Sequence, residues 1–395
     1  MKEIKGLYNT AKIFASTIEP SCEMQILELC NQYWVQDSSI SIMADCHSGK
    51  GCVIGTTMTI KDKVAPNVVG VDGSCGMLTV MLGNINLNLK QLDDIIKNNI
   101  PMGTNNRQHA IVDFTEDWKS LYCKDYINPV QVSNSLGSLG SGNHFIEIDV
   151  DDDGCKYLVI HTGSRNFGKR VAEYYQEKAI EYHKLKDLKS TTEIIQDLKD
   201  RGLKQSISSE LAKREISNKD LCYLEGDLFS QYLHDMVIVR EMATLNRALI
   251  SDIICSLLNV KTDGNFETIH NYIDINNMIL RKGAISARLG ERCLIPINMR
   301  DGSLICIGKG NPEYNFSAPH GAGRLMSRTE AKKKLSLDDF KNTMKDVYSS
   351  SISLSTLDES PDVYKPMAEI LDNIKDTVQV IKHIKPIYNI KAQEE

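Results

Sequence analysis

The sequence predicts an α+β fold: one compact domain of mixed or antiparallel sheets, surrounded by helices and carrying a helical insertion or layer. Three observations support this. Short β-prone runs separated by turn residues fill residues 1 to about 165. The pattern turns helical from about 168 to 259, with apolar residues three and four apart, and strands return from 266 to 309. Residues able to do chemistry come from both sides of the helical block, so residues 1–395 are expected to form one interwoven domain rather than two.

In chain order, CVIGTTMTI, VVGVD, MLTVML, HFIEIDV and KYLVIHT read as strands, because short β-branched and apolar runs bounded by turn residues suit a pleated sheet. VAEYYQEKAIEYHKL and LFSQYLHDMVIVREMATLNRALISDIICSLL read as helices from their apolar spacing. ETIHNYIDI, AISARLG, RCLIPINM and SLICIGKG return to strand character, followed by an HGAGR loop, two helices and a final strand KPIYNIK. No internal repeat or low-complexity segment interrupts this order.

At 395 residues, 42% hydrophobic and 25% charged, the chain can bury a sizeable core. The leading MKEIKGLYNTAKIFA lacks signal-peptide order, and no stretch nears the roughly 20 apolar residues of a membrane helix. A cytoplasmic location without a membrane partner is expected. Eleven cysteines with no C-x-x-C pair point to neither a disulfide framework nor a zinc ribbon. The net charge of −6 argues against a generally basic nucleic-acid binder, yet Arg281 to Lys334 holds eleven Lys/Arg against four Asp/Glu. Such asymmetry suits a local phosphate-binding surface, a solvated helical face being the other reading.

Five segments set a soft or borderline metal-ligand residue beside small residues or Asn: VDGSCG (Asp72, Cys75), SGNH (His144), IHTGS (His161), IHN (His270) and PHGAGR (His320). Carboxylate, thiolate and imidazole are the donors a borderline divalent metal prefers, and small neighbours let backbone and ligand come close. Asp72 and Cys75 converge on one ion only through a tight turn, which Gly73 and Gly76 permit; a core cysteine beside a turn aspartate is the alternative. A bridging Cys75 would hold two metals about 3.5–4 Å apart. His144 opens a strand, and bringing Asn143 and Glu147 to one ligand is expected to need a twist or bulge. His161 ends a strand before a turn carrying Arg165, and Asn271 beside His270 would orient a phosphate or fix a ligand tautomer.

PHGAGRLMSR leads from rigid Pro319 through His320 to Arg324 and Arg328, an anion cradle in which His320 serves as ligand, general acid or phosphorus-directed nucleophile. MADCHSGKG gathers Asp45, His47 and Lys50 at a glycine turn without Walker spacing, a phosphate-facing or general-base loop.

Taken in order, MADCHSGKG, VGVDGSCGM, SLGSGNHFIEI, HTGSRNFG, IHN, KGNPEYNFSAPHGAGRLMSR, DESPDVYKPM and IKPIYNIK resemble the blocks of the RtcB family of RNA-splicing ligases over nearly the whole chain. The resemblance implies a GTP- and manganese-dependent ligase that joins RNA 3′-phosphate or 2′,3′-cyclic phosphate ends to 5′-hydroxyl ends. Its partners would be RNA and GTP, with an archease-like activator left open. Asp72, Cys75 and His144 would hold one manganese, and Cys75, His161 and His270 the second. His320 would take GMP from GTP and pass it to the RNA 3′-phosphate, and the 5′-hydroxyl would then displace it. Asn143, Asn271 and Arg324 match positions that hold phosphates, Glu147 and Lys391 positions that read guanine, and Tyr364 an aromatic against the nucleotide. Asp45 or a metal-bound hydroxide is the candidate base.

The sequence departs from the family pattern at Arg300 and Asp301, which bear on nucleotide contacts from Ser303. It departs again at Pro319, where Ser or Cys is commoner, and at Ala392, where Gly is expected. None of these removes a proposed ligand or nucleophile. Two other classes stay open: a metal phosphoesterase that opens cyclic phosphates without joining ends, and a noncatalytic RNA-damage sensor.

Overall fold

In the computed structural model, which describes residues 2–212 and 218–392, two sheets meet at the candidate ligands. One has six strands in the order Lys2–Lys5, Thr10–Ile13, Ile40–His47, Ile54–Thr59, Ile279–Lys282 and Asn271–Asp274. The other has seven, ordered Gly264–Ile269, Gly76–Gly83, Lys156–Thr162, Phe145–Val150, Val378–Lys391, Gly302–Gly308 and Arg292–Asn298. Among these pairings only Thr10–Ile13 against Ile40–His47 is parallel. The α+β expectation is met.

The seven-stranded sheet curls until its two edge strands touch: the Leu294 N–H donates to Thr268 Oγ1 at 3.0 Å. Near-closure of this kind leaves little open edge and divides side chains into inward and outward sets. Phe145, Tyr157, Val159, Leu294 and Ile384 pack inside the curl. Ile146, Ile148, Leu158 and Ile160 point the other way, onto Ile250 and Ile254 of the Gly226–Leu258 helix and Leu92 and Ile96 of the Leu89–Asn99 helix. The period of two therefore decides which residues of HFIEID reach the site and which reach the helices.

The helical stretch forms a layer on the back of this sheet. Its two long members, Arg165–Asp200 and Gly226–Leu258, pack on each other with Tyr175 and Tyr232 rings 5.0 Å apart. Residues 213–217 of the predicted stretch lie outside the described residues. No helix among the described residues is long and apolar enough to cross a membrane. All eleven cysteines are free thiols.

Three elements differ from the sequence reading. VVGVD is no strand: Pro66 fixes the first position of a helical turn, Pro66–Val69, before a loop to the ligands. The first 165 residues also hold helices, including Pro20–Cys30 and Leu89–Asn99. The second is capped by Asn88, whose side chain accepts from the Lys90 and Gln91 N–H groups, a start signal present in NLKQLDDII. ETIHNYIDI splits at His270: Gly264–Ile269 belongs to the seven-stranded sheet and Asn271–Asp274 to the six-stranded one.

Arg247, fully buried on the Gly226–Leu258 helix, ties the helical layer to the strands that carry the ligands. It donates to Glu267 Oε1 at 2.7 Å, to the Ser74 carbonyl at 3.0 Å and to the Thr162 carbonyl at 2.6 Å. Replacing it by Met strands those acceptors, so Arg247→Met is expected to lose about 3 kcal/mol of stability in urea unfolding, as broken buried pairs do. A loss below 1 kcal/mol would contradict this anchoring.

Candidate active site

Two groups of potential metal ligands share one thiol. Cys75, His161 and His270 form one and Asp72, Cys75 and His144 the other, with the ligand atoms of each within 4.8 Å of one another. Cys75 Sγ lies 3.4 Å from His144 Nε2 and 3.3 Å from His161 Nε2, and His144 Nε2 lies 3.3 Å from Asp72 Oδ2.

Local folding produces this convergence. Asp72 and Cys75 flank a turn closed by the Cys75 N–H on the Asp72 carbonyl at 3.3 Å, with Ser74 held at a φ of 58°. Such a backbone conformation is costly for a residue with a Cβ and persists where the surroundings enforce it. Here the Ser74 N–H is bound by the Asn271 carbonyl at 2.6 Å, and the His270 N–H by the Cys75 carbonyl at 2.9 Å. His161 stands on the Lys156–Thr162 strand, directly paired with Met77 and Phe145. Gly163 follows it because a Cβ there would sit 2.4 Å from Asp72 Oδ1.

The donor chemistry fits divalent metal. Burial pushes the His161 and His270 imidazoles well below their ordinary range, which keeps them neutral and able to donate a lone pair. Burial and the adjacent Asp72 carboxylate push the Cys75 thiol well above its ordinary range, so its thiolate needs a neighbouring cation. Burial is the largest single influence on Asp72 and opposes its charge, but its hydrogen bonds with His144 and Cys75 and the imidazole charges of His144 and His270 together outweigh it and hold its carboxyl down to about 2. His144 Nδ1 is bound to the Leu139 carbonyl at 2.9 Å, which fixes that ring with Nε2 toward the cluster.

The ligands separate two cavities. The first, about 450 Å³, is lined by Asp72, Cys75, Asn143, Glu147, His161, His270, Asn271, His320, Arg324, Tyr364 and Lys391. Asn143 and Glu147 both line it, Glu147 from the strand Phe145–Val150 and Asn143 from the turn that precedes that strand. The second cavity, about 580 Å³, lies beyond Asp72 and His144 and carries Arg165, Lys169 and Arg170.

His320 follows the short strand Ser317–Pro319, its ring 5.0 Å from that of His270 but outside both ligand groups. Asp45 accepts from His320 at Nδ1, 2.7 Å away, and from its backbone N–H at 3.2 Å. Asp45 does not line the cavity; it is buried behind the histidine, and Gly323, at a φ of 71°, leaves room for it where a Cβ would come within 3.2 Å of the Asp45 Cα.

Several expected roles meet unexpected surroundings. Arg324 donates to the Asp358 backbone carbonyl at 2.6 Å and to the Glu359 carboxylate at 3.4 Å, and Arg328 reaches the carboxylates of both Asp358 and Glu359, so the cradle's charge is partly offset. Lys391 also pairs with Glu359, at 3.1 Å, and sits 4.8 Å from the Phe145 ring centre. Tyr364 donates to Glu359 at 2.8 Å and lies under the Arg324 guanidinium. Asn271 is engaged with backbone, donating to the Asp72 carbonyl at 3.3 Å and accepting from the Gly283 N–H at 2.8 Å. Ser303 is buried beneath the cavity and does not line it. Glu359, Phe145 and the Arg165 cavity were not assigned from sequence, although the quoted blocks DESPDVYKPM, GNHFIEI and HTGSRNFG contain all three.

An α+β fold that carries two soft-ligand groups on a shared thiol, with a separately anchored histidine in the same cavity, defines the class: an enzyme able to seat paired metal ions. Residues 25–392 match the family model described as tRNA-splicing ligase RtcB, and the chain belongs to that family of ligases. It is 30% identical to the RNA-splicing ligase RtcB of Escherichia coli strain K12, over 89% of this chain and 90% of that protein. The tRNA-splicing ligases RtcB of Nanoarchaeum equitans and Aeropyrum pernix are each 24% identical, covering 89% and 85% of this chain and 87% and 84% of their own.

Removing the shared donor should affect both ligand groups together. Cys75→Ala is expected to lower the bound divalent metal from two ions per chain toward none in equilibrium dialysis, with the circular dichroism spectrum unchanged. Loss of a single ion would contradict sharing.

Proposed function

We propose that this chain is a GTP- and manganese-dependent RNA ligase, acting as one catalytic domain. It would join a 3′-phosphate or 2′,3′-cyclic phosphate end to a 5′-hydroxyl end. The observation that carries the reading is His320: an imidazole in the metal-side cavity that belongs to neither ligand group and is anchored through Nδ1 by Asp45.

Asp72, Cys75 and His144 would hold one ion, and Cys75, His161 and His270 the other. When bound, the ions would supply charge stabilisation at phosphate oxygens and a site for opening a cyclic phosphate. The remaining work falls to side chains of this chain. Asp45 accepts the Nδ1 proton and so leaves the Nε2 lone pair of His320 available for the α-phosphorus of GTP. Pyrophosphate departs and a histidine–GMP bond forms. The RNA 3′-phosphate takes GMP from His320, and the 5′-hydroxyl then attacks that activated phosphate and releases GMP. Asp45 stabilises the positive charge that the Nδ1–H imidazole carries while GMP is bonded to Nε2, and that charge is lost as the N–P bond breaks, a positioning role beside the general-base role expected from sequence.

Asn143, Asn271 and Arg324 would contact phosphates, with Glu147 and Lys391 on the guanine and Tyr364 beside it. Ser303 would act through the strand beneath the nucleotide. The second cavity, with Arg165, Lys169 and Arg170 on the far side of Asp72, suits the phosphodiester chain of the RNA end that brings the 5′-hydroxyl.

With manganese and α-labelled GTP, the protein should become covalently labelled and peptide mapping should find GMP on His320. His320→Ala should lose the label entirely. Label that persists in His320→Ala would overturn the assigned nucleophile, and absence of label in the parent protein would favour a phosphoesterase. Asp45→Asn should keep metal binding and slow labelling roughly 10²-fold or more, the scale of a lost acid–base partner.

A further inference from the structure

Glu147, Asp149 and Asp151 follow one another at a spacing of two, so one face of the strand Phe145–Val150 and its continuation carries three carboxyls in a row. All three are buried, with Asp149 at 0% exposure. Their donors are unevenly shared. Asp151 accepts from the Tyr157 hydroxyl at 2.9 Å, from the Asp153 and Cys155 N–H groups at 3.0 and 2.9 Å, and from the Lys382 ammonium. Glu147 accepts from the Asn389 amide and feels the charge of Lys391.

Asp149 has no donor on either oxygen. Across the ladders it faces Tyr157, whose hydroxyl serves Asp151, and Pro386, which has no N–H to give. The polar group within its reach is the Glu147 carboxyl.

A buried carboxylate without a donor is far too costly to persist as an ion, and two adjacent buried carboxyls cannot both be charged. One proton between them resolves both problems, and the unequal donors decide where it sits. Asn389 and Lys391 favour charge on Glu147; nothing favours charge on Asp149. Burial pushes both carboxyls up, Asp149 well above its ordinary range with the Glu147 charge adding to the effect.

We propose that Asp149 is a neutral carboxylic acid whose O–H donates to Glu147, making Asp149 a positioning residue that holds Glu147 as an oriented carboxylate selecting a base with two adjacent N–H donors. This rests on the reading in which Glu147 contacts guanine. Glu147 lines the nucleotide-side cavity, whereas Asp149 lies behind it and does not. Guanine presents a ring N–H beside an amino group and suits such an acceptor pair; adenine presents an unprotonated ring nitrogen and does not. A proton moved from Asp149 onto Glu147 would turn one acceptor into a donor and weaken the discrimination. The other ionisable groups along this face, Asp151, Tyr157 and Lys382, are satisfied among themselves.

The test uses the full chain with manganese, measuring covalent nucleotide labelling with GTP, ITP and ATP, beside the infrared carboxylic-acid band near neutral pH. The wild type should show a protonated-carboxyl band that is absent from Asp149→Asn. Asp149→Asn, whose amide still donates to Glu147, should keep KM for GTP within about twofold. Asp149→Ala should raise KM for GTP about tenfold with kcat little changed, the scale of one lost hydrogen bond to a charged group. Equal carboxylic-acid bands in wild type and Asp149→Asn, or an unchanged KM in Asp149→Ala, would overturn the proposal. Glu147→Gln separates the two readings: if it loses the preference for GTP while Asp149→Ala does not, the role of Asp149 alone fails. If Glu147→Gln keeps the preference, the guanine reading beneath it fails.

Discussion

The sharing of one cysteine between two ligand groups constrains the rest of the structure. Cys75 Sγ lies 3.4 and 3.3 Å from the imidazoles of His144 and His161, and its carbonyl binds the N–H of His270. Those contacts draw together a turn, two neighbouring strands and the point where the chain passes from the seven-stranded sheet to the six-stranded one. A buried thiol surrounded by imidazoles and a carboxylate is a poor core on its own. Strained Ser74, crowded Gly163 and buried Arg247 all serve to hold it in place. Bringing donors together in this way raises the free energy of the metal-free fold.

The same arrangement explains why one histidine can differ from the other three. His144, His161 and His270 crowd around Cys75, whereas His320 is held back by a carboxylate on the six-stranded sheet. Asp45 engages its Nδ1, so Nε2 is the ring nitrogen that this carboxylate leaves free. Behind the cavity wall formed by Arg324, Arg328, Tyr364 and Lys391, Glu359 collects all four side chains. A carboxylate at the centre of three cations sets their positions while reducing their net charge.

Much of this was legible in the sequence because the chemistry sits in short blocks rich in glycine and asparagine. The ligand residues read from VDGSCG, GNH, IHTGS and IHN come together in the fold, and the long helices follow their apolar spacing. VVGVD reads as a strand by composition, but Pro66 starts a helical turn that the apolar run conceals. ETIHNYIDI looks like one strand because the change of sheet at His270 costs no break in the pattern. Ser303 carries a hydroxyl of the right type, yet the pleat turns it under the cavity. Glu359 and Arg165 draw their importance from partners tens of residues away in no recognisable spacing, which only the folded chain brings into contact.

The central claim, that one thiol is common to two metal positions, is tested most directly by electron paramagnetic resonance of the protein loaded with two equivalents of manganese(II). A bridging Cys75 predicts an exchange-coupled multiline spectrum from the pair, replaced by uncoupled or unbound signals in Cys75→Ser. A spectrum of independent six-line ions in the wild type, unchanged by that substitution, would contradict the account.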